Sequence, residues 1–333
     1  MSAIAKALEA LPSGAYVLAV SGGRDSMVLL HAFARSRRDD LSAVATFDHG
    51  SGAAATAAAE LVIHTCMASG IPVVAGRDAG TARGCAAAGD RFDDPPAAKA
   101  RPSEASWREA RWAFLRAVAL ERQATVVTAH TLDDQAETVA MRILRDASAR
   151  GLAAMAWPTD GVARPLLALR RAKLAAYAAE HRVEYRDDPS NADPRHLRNR
   201  LRAGVLAPIE EVRPGFAQEL FATSLRAAEW RADLAALVDG LGVRLVGEVA
   251  VVEADSLVDL PVEGLRVVWP EIAGRASVVL DWRGVQRLAN WTARAVSGQR
   301  IPLSGGALVE RTTHTFVVRR AAAGDAAAAD EAR

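Results

Sequence analysis

The first 150 residues alternate short apolar runs with helix-length segments, a pattern best buried by a parallel sheet with helices on both faces. Residues 16–20, 43–47, 71–75 and 125–129 read as buried strands. Between them helices are expected over 26–37, 53–69, 103–121 and about 133–145. The third carries Trp107, Arg111 and Phe114 at helical spacing. Residues 76–102 hold Gly, Pro and Asp without periodicity, and are expected to form a long loop beside the sheet's functional edge, a lid or an insertion. The fold class that follows is α/β, with a doubly wound, mostly parallel sheet.

Residues 165–181 give one more strand-then-helix unit, and Asp187-Asp188-Pro189-Ser190-Asn191 reads as a turn before a helix carrying Arg198, Arg200 and Arg202. Pro208 and Pro214-Gly215 are expected to mark a boundary. Phe216, Leu220, Phe221, Leu225, Leu234 and Leu237 then recur at helical spacing, as one long amphipathic helix requires. From 243 to 320 short strands mix with a helix near 282–296. The expected organisation is a catalytic domain over 1–205, a helical connector over 206–240, a small α+β domain over 241–322 that docks RNA, and a disordered tail over 323–333.

Composition sets limits on what such a chain does. It is 50% hydrophobic and 24% charged, and its apolar runs are strand-length, so no membrane span is expected. The start of the chain lacks a basic region followed by an unbroken apolar stretch, and a cytoplasmic location is expected. Two cysteines, Cys66 and Cys85, are too few for a disulfide scaffold or a paired metal site. A net charge of +1 confines nucleic-acid binding to a local patch. Residues 164–202 form one, with ten Lys or Arg against five acids. Only three lysines occur in the chain, so its cations are guanidiniums suited to phosphate, although a compositional bias toward Arg would give solvated surface instead. Oligomeric state is not fixed by the sequence; a homodimer is one possibility.

Ser21-Gly22-Gly23-Arg24-Asp25-Ser26 follows the first strand and opens a helix, so backbone N–H groups and two hydroxyls converge where the helix dipole is positive. Glycine allows the tight turn and close approach of phosphate oxygens. No lysine lies here, so this is not the Gly-Lys-Ser/Thr phosphate loop of other nucleotide-binding proteins. Asp25 beside a polyphosphate requires an intervening cation, which points to Mg²⁺ between the carboxylate and the phosphates. A plain chain reversal is the alternative for such a turn taken alone.

The Ser-Gly-Gly-Arg-Asp-Ser run resembles the loop of the PP-loop ATP-pyrophosphatases, which split ATP at the α-phosphate. Four further blocks, Glu104–Arg111, the run Thr128 to Thr138, Arg164-Pro165-Leu166-Leu167 and Arg198-Asn199-Arg200-Leu201-Arg202, together with Asp188-Pro189-Ser190-Asn191, resemble the tRNA(Ile)-lysidine synthetase family. The resemblance implies a ligase that adenylates C2 of the wobble cytidine in a CAU-anticodon isoleucine tRNA and joins free L-lysine there, releasing AMP and pyrophosphate. It implies ATP contacts from Ser21, Gly22, Gly23, Arg24, Asp25 and Ser26. It places Asp25, Arg111, His130, Asp134, Glu137 and Arg202 in the catalytic centre, and Arg195, Arg198, Arg200 and Arg202 against tRNA.

In that role Asp134 and Glu137, three residues apart on one helix face, would meet the cationic amino acid. Arg111 and Arg202 would stabilise charge on the α-phosphate and departing AMP, and His130 would contact the adenylated base or its phosphate. The alternative for Asp133 and Asp134 is helix capping, and for His130 a structural hydrogen bond. The chain departs from the family where two adjacent histidines become His130-Thr131, where Gly-Ser-Gly becomes Asp146-Ala147-Ser148, and where His-Gly-Leu-Arg becomes His49-Gly50-Ser51-Gly52. The nearest rival is a PP-loop thiolase, which needs reactive cysteines; another is an inactive tRNA-binding relative.

Overall fold

The computed structural model describes residues 2–50, 52–77, 104–156, 159, 161–187 and 195–321. They divide into two compact units, Met1–Ala228 and Glu229–Arg333, each described by itself.

In the first unit the elements run α1 (Ala3–Glu9), β1 (Tyr16–Ala19), α2 (Arg24–Ser36), β2 (Leu41–Asp48), α3 (Ala53–Ala68), β3 (Val73–Arg77), α4 (Glu104–Glu121), β4 (Thr125–Val127), α5 (Leu132–Ile143), α6 (Ala149–Leu152), β5 (Val162–Ala163), α7 (Arg171–His181), α8 (Leu197–Leu201) and α9 (Ala207–Val212). The five strands pair in parallel in the order β3-β2-β1-β4-β5. Tyr16 to Ala19 are all buried, which is why β1 is apolar at every position. On one face Leu18, Met27, Leu30, Phe33 and Val62 join a core beneath α2, α3 and α7. On the other, Val17, Ala43 and Val126 pack against Leu115 and Val118 of α4. The chain moves outward in opposite directions from β1, and the crevice at the carboxyl ends of β1 and β4 is where such sheets bind ligands.

The four expected strands and four expected helices are present with ends displaced by a few residues. Gly76, expected to open a loop, belongs instead to β3; a Cβ there would lie 2.7 Å from Phe114, so only glycine lets α4 close on the strand. The remainder of that expected loop, 78–102, lies outside the described residues, as do Cys85, Ser103, Asp188 to Asn191 and the tail expected over 323–333. The strand expected at 165 lies instead at Val162–Ala163. Pro165 has no N–H to pair, and Leu167 and Leu169 donate to Arg164 and Leu166 in turns. Pro208 marks no break: it lies in the first turn of α9, where its missing N–H costs nothing, and a π-type turn over Arg202–Leu206 joins α8 to α9.

One helix, α10 (Phe216–Gly240), carries the division between the units. The second unit adds β6 (Arg244–Val246), β7 (Val249–Glu253), α11 (Asp255–Val258), α12 (Val262–Arg275), α13 (Trp282–Thr292), β8 (Arg300–Leu303), β9 (Ala307–Arg311) and β10 (Thr315–Arg320). Its antiparallel sheet has the order β6-β7-β10-β9-β8. Trp269 and Phe316, both fully buried, meet edge to face at 5.7 Å, and Trp269 Nε1 donates to Thr292 Oγ1 at 2.9 Å.

Candidate active site

The turn after β1 is built as an anion cradle. Gly22 has φ +80°, and a Cβ there would stand 2.5 Å from the Ala58 carbonyl oxygen of α3, so glycine alone fits. Gly23 caps α2 without any side-chain hydrogen bond, leaving the helix's first N–H groups for a ligand. The Ser26 hydroxyl donates to the Gly23 carbonyl at 2.8 Å and accepts from the Ser21 N–H at 3.2 Å, pinning the turn. Arg186 N–H donates to the Gly22 carbonyl at 2.9 Å, tying a second segment to the cradle.

Asp25 stands in the first turn of α2, between Arg24 Nε and Arg171 Nε, each at 3.3 Å. Burial raises its pKa more than these cations lower it, with Asp134 adding repulsion. A carboxylate in that position gains most from a divalent cation, and a single carboxylate completed by waters and phosphate oxygens is the usual protein contribution to Mg²⁺. The donor set therefore fits Mg²⁺ held with ATP. A cavity of about 310 Å³ is lined by Ser21, Gly23, Asp25, Asp134, Arg171 and Arg202 among others, joining the cradle to the end of β4.

At that end Thr131 and Asp134 form a capping box at the start of α5: Thr131 N–H and hydroxyl donate to Asp134 Oδ2 at 2.9 and 2.7 Å. The other Asp134 oxygen accepts from Arg171 at 2.7 Å. Glu137, one turn on and 1% exposed, accepts from Arg198 Nε and Arg202 Nε at 2.6 Å each and from Arg171 at 3.3 Å. Burial opposes ionisation of both carboxylates, yet the guanidiniums, with the Thr131 bonds for Asp134, hold both below their ordinary range. Both are anionic at neutral pH. Asp133 points away from this pair: its oxygens accept from the Arg171 backbone N–H at 2.6 Å and from Arg170 Nε at 3.0 Å, so it caps α7.

His130 Nδ1 lies 2.7 Å from Thr128 Oγ1. Burial lowers its pKa, Asp134 partly offsets this, and nearby arginines add to it, bringing it to about 4; the ring is neutral at pH 7. Arg111 lies on α4, desolvated and repelled by Arg108. Of the arginines expected to face tRNA, Arg198 and Arg202 turn inward to Glu137, whereas Arg195 and Arg200 are exposed.

Sequence reasoning passed over Arg171, whose side chain alone reaches Asp25, Asp134 and Glu137. Its signal was present: Arg170-Arg171 sits at the start of a helix, where the dipole disfavours cations, so the pair needs carboxylates brought from elsewhere. A second cavity of about 310 Å³ shares Glu137, Arg171 and Arg202 with this cluster and adds apolar walls from Leu206, Phe216 and Ala217.

A parallel sheet with an anion cradle at its switch point defines a nucleotide-binding α/β domain. The chain belongs to the PP-loop domain family, whose model matches residues 1–209. It is similar to the tRNA(Ile)-lysidine synthase of Pseudomonas aeruginosa, 35% identical over 260 residues that cover 75% of this chain and 54% of that protein. It is also similar to the tRNA(Ile)-lysidine synthase of Rhodopseudomonas palustris, 40% identical over 235 residues that cover 68% of this chain and 63% of that protein. The chain spans about half the length of several curated relatives it matches. Among solved structures it is similar to a U34-tRNA thiolase from Methanococcus maripaludis with its 4Fe-4S cluster, at TM-score 0.53 and 15% identity, covering 68% of this chain and 78% of that one. That likeness shows the fold alone. Among the described residues no helix is long and apolar enough to cross a membrane.

Proposed function

We propose that this chain ligates lysine to C2 of the wobble cytidine in a CAU-anticodon isoleucine tRNA, by way of an adenylated base, releasing pyrophosphate and then AMP. The observation that carries this reading is the joining, in one cavity, of the Gly22-Gly23 cradle with Asp25 and the Arg171–Asp134 pair. Similarity to proteins named tRNA(Ile)-lysidine synthase supports this choice of substrate.

The cradle holds the polyphosphate through the N–H groups opening α2, and Ser21 and Ser26 add hydroxyls. Asp25 would hold Mg²⁺ brought with ATP, and the ion would supply neutralisation of phosphate charge that favours loss of pyrophosphate. Arg171 and Arg202 both line this cavity, and their guanidiniums fork naturally onto phosphate oxygens. Asp134 and Glu137 hold these arginines before ATP arrives. Phosphate draws Arg171 and Arg202 away, and with Arg198 still held by Glu137 at 2.6 Å it is Asp134, 3.4 Å from Arg198, that is left to attract the lysine ammonium. Free lysine has a side-chain pKa of about 10.4, so its ε-amine must lose a proton to attack. While the arginines stay in place the carboxylates are weak bases; freed of them, one accepts that proton as the C–N bond forms. Neutral His130 donates or accepts a hydrogen bond at the base without adding charge.

Sulfur insertion is the less supported chemistry. Cys66 is fully buried, and burial pushes its thiol up to about 11, so it is unreactive at neutral pH.

Two rates test the proposal: tRNA-dependent pyrophosphate release without lysine, and lysine-dependent AMP release. Asn caps helices well, so Asp134→Asn is expected to keep the first measurable and depress the second severely. Equal loss of both steps would move Asp134 from the lysine site to the ATP site and refute its assignment.

A further inference from the structure

The arginines of the sheet's functional edge fall into two sets. Arg171, Arg198 and Arg202 are each neutralised by Asp134, Glu137 or Asp25. Arg108, Arg111 and Arg164 have no such partner among the described residues. Burial lowers the pKa of both Arg111 and Arg164, and repulsion from Arg108 adds to it. Among the described residues Arg164 Nε is buried without a hydrogen-bond partner, and the side chain's one bond, to Thr159 Oγ1, is long at 3.5 Å. Arg108 is exposed and solvated, whereas Arg111 and Arg164 are desolvated; desolvated cations without counter-charge are costly to a fold, and an anionic occupant removes that cost.

These residues share one place. Thr128 N–H donates to the Ala163 carbonyl at 3.1 Å, so Arg164 leaves β5 beside the end of β4 and His130. The first turns of α4, which carry Trp107, Arg108 and Arg111, reach the same edge: the Trp107 ring lies 6.2 Å from that of His49, just past β2. The next turn packs Phe114 against Phe47 at 5.4 Å. Trp107 is half-buried, leaving part of its ring open. An aromatic face flanked by unpaired guanidiniums is the combination that holds a splayed-out nucleotide of single-stranded RNA.

We propose that Trp107, Arg108, Arg111 and Arg164 form a docking site for one nucleotide of the RNA substrate, with the phosphodiester held by the guanidiniums and the base stacked on Trp107. This rests on the reading of the chain as an RNA-modifying enzyme. It assigns Arg111, which the family resemblance places at the α-phosphate, to the RNA instead, and so separates RNA capture from ATP capture, which uses the neutralised set and the cradle.

The test is fluorescence anisotropy with a labelled CAU-anticodon stem-loop RNA, alongside ATP binding by calorimetry, on the full chain and on Trp107→Ala, Arg108→Gln and Arg164→Gln. Thermal melting checks folding, and Arg164→Lys, which keeps the charge, serves if Arg164→Gln is unstable. Each Arg→Gln change is expected to weaken RNA binding about ten-fold or more and to lower the slope of log affinity against log salt by about 0.7. Trp107→Ala is expected to weaken RNA binding without changing that slope. ATP affinity stays within about two-fold in all, below the ten-fold that one lost charged contact gives. RNA affinity unchanged in all three variants, or lost ATP affinity in the arginine variants, overturns the docking site while leaving the enzymatic proposal standing. Failure of the unaltered chain to bind the stem-loop at all overturns both.

Discussion

Replacing Glu137 with Gln removes the charge on which three guanidiniums converge while keeping the side chain's shape. Glu137 is 2% exposed in its side chain and accepts from Arg198, Arg202 and Arg171 at 2.6, 2.6 and 3.3 Å. Breaking a buried ion pair by removing one partner costs about 3–5 kcal/mol, mostly because the other charge is stranded. The side chains of Arg198 and Arg202 are 36% and 39% exposed and can rehydrate, whereas Arg171 at 21% is less able to. The lower end, about 3 kcal/mol, is therefore expected. For a unit of this size each kcal/mol shifts Tm by about 2–4 °C, giving a fall of about 6–12 °C. Scanning calorimetry reads this directly. Pyrophosphate, which supplies the missing negative charge, is expected to restore part of the loss in the variant and to stabilise the unaltered chain less. A Tm within about 2 °C of the parent, less than 1 kcal/mol on that scale, would show that the arginines do not depend on Glu137 and would refute the hub.

Asp25→Ala is expected to melt near the parent, since its partners are partly exposed arginines, yet to lose tRNA-dependent pyrophosphate release; turnover near the parental rate would remove Asp25 from the ATP site. His130, held near pKa 4 against an ordinary 6.5, contributes stability that is complete above pH 6.5 and drains away as pH falls toward 4, by at most about 3 kcal/mol. Urea midpoints of the parent and His130→Asn should converge over that window; parallel curves would contradict the buried neutral ring. The double change Cys66→Ala with Cys85→Ala should keep base modification within about three-fold, under 1 kcal/mol in barrier, and a folded but inactive product would revive sulfur chemistry.

The strand pattern made the sheet legible because its central strand is buried on both faces and so apolar throughout, from Tyr16 to Ala19, and its neighbours carry short apolar runs beside it. The cradle was legible because its chemistry is local: the turn, the dipole and the hydroxyls all belong to residues 21–26. The arginine–carboxylate hub was not, since Arg171 and Glu137 lie 34 residues apart and meet only through the packing of α5, α7 and α8. Asp133 and Asp134 show both halves of the ambiguity that sequence left open, as each caps a helix and each also grips an arginine. Element ends were harder than element existence. Gly76 reads as a loop residue from its neighbours, and only its contact with Phe114 explains why it stands in a strand.

Mass spectrometry of nucleosides from a CAU-anticodon isoleucine tRNA, incubated with the full chain, ATP, Mg²⁺ and isotopically labelled lysine, tests the proposed ligation most directly. The wobble cytidine is expected to gain one labelled lysyl group, only when ATP is present. An unmodified cytidine, or a base that has gained sulfur, would contradict it.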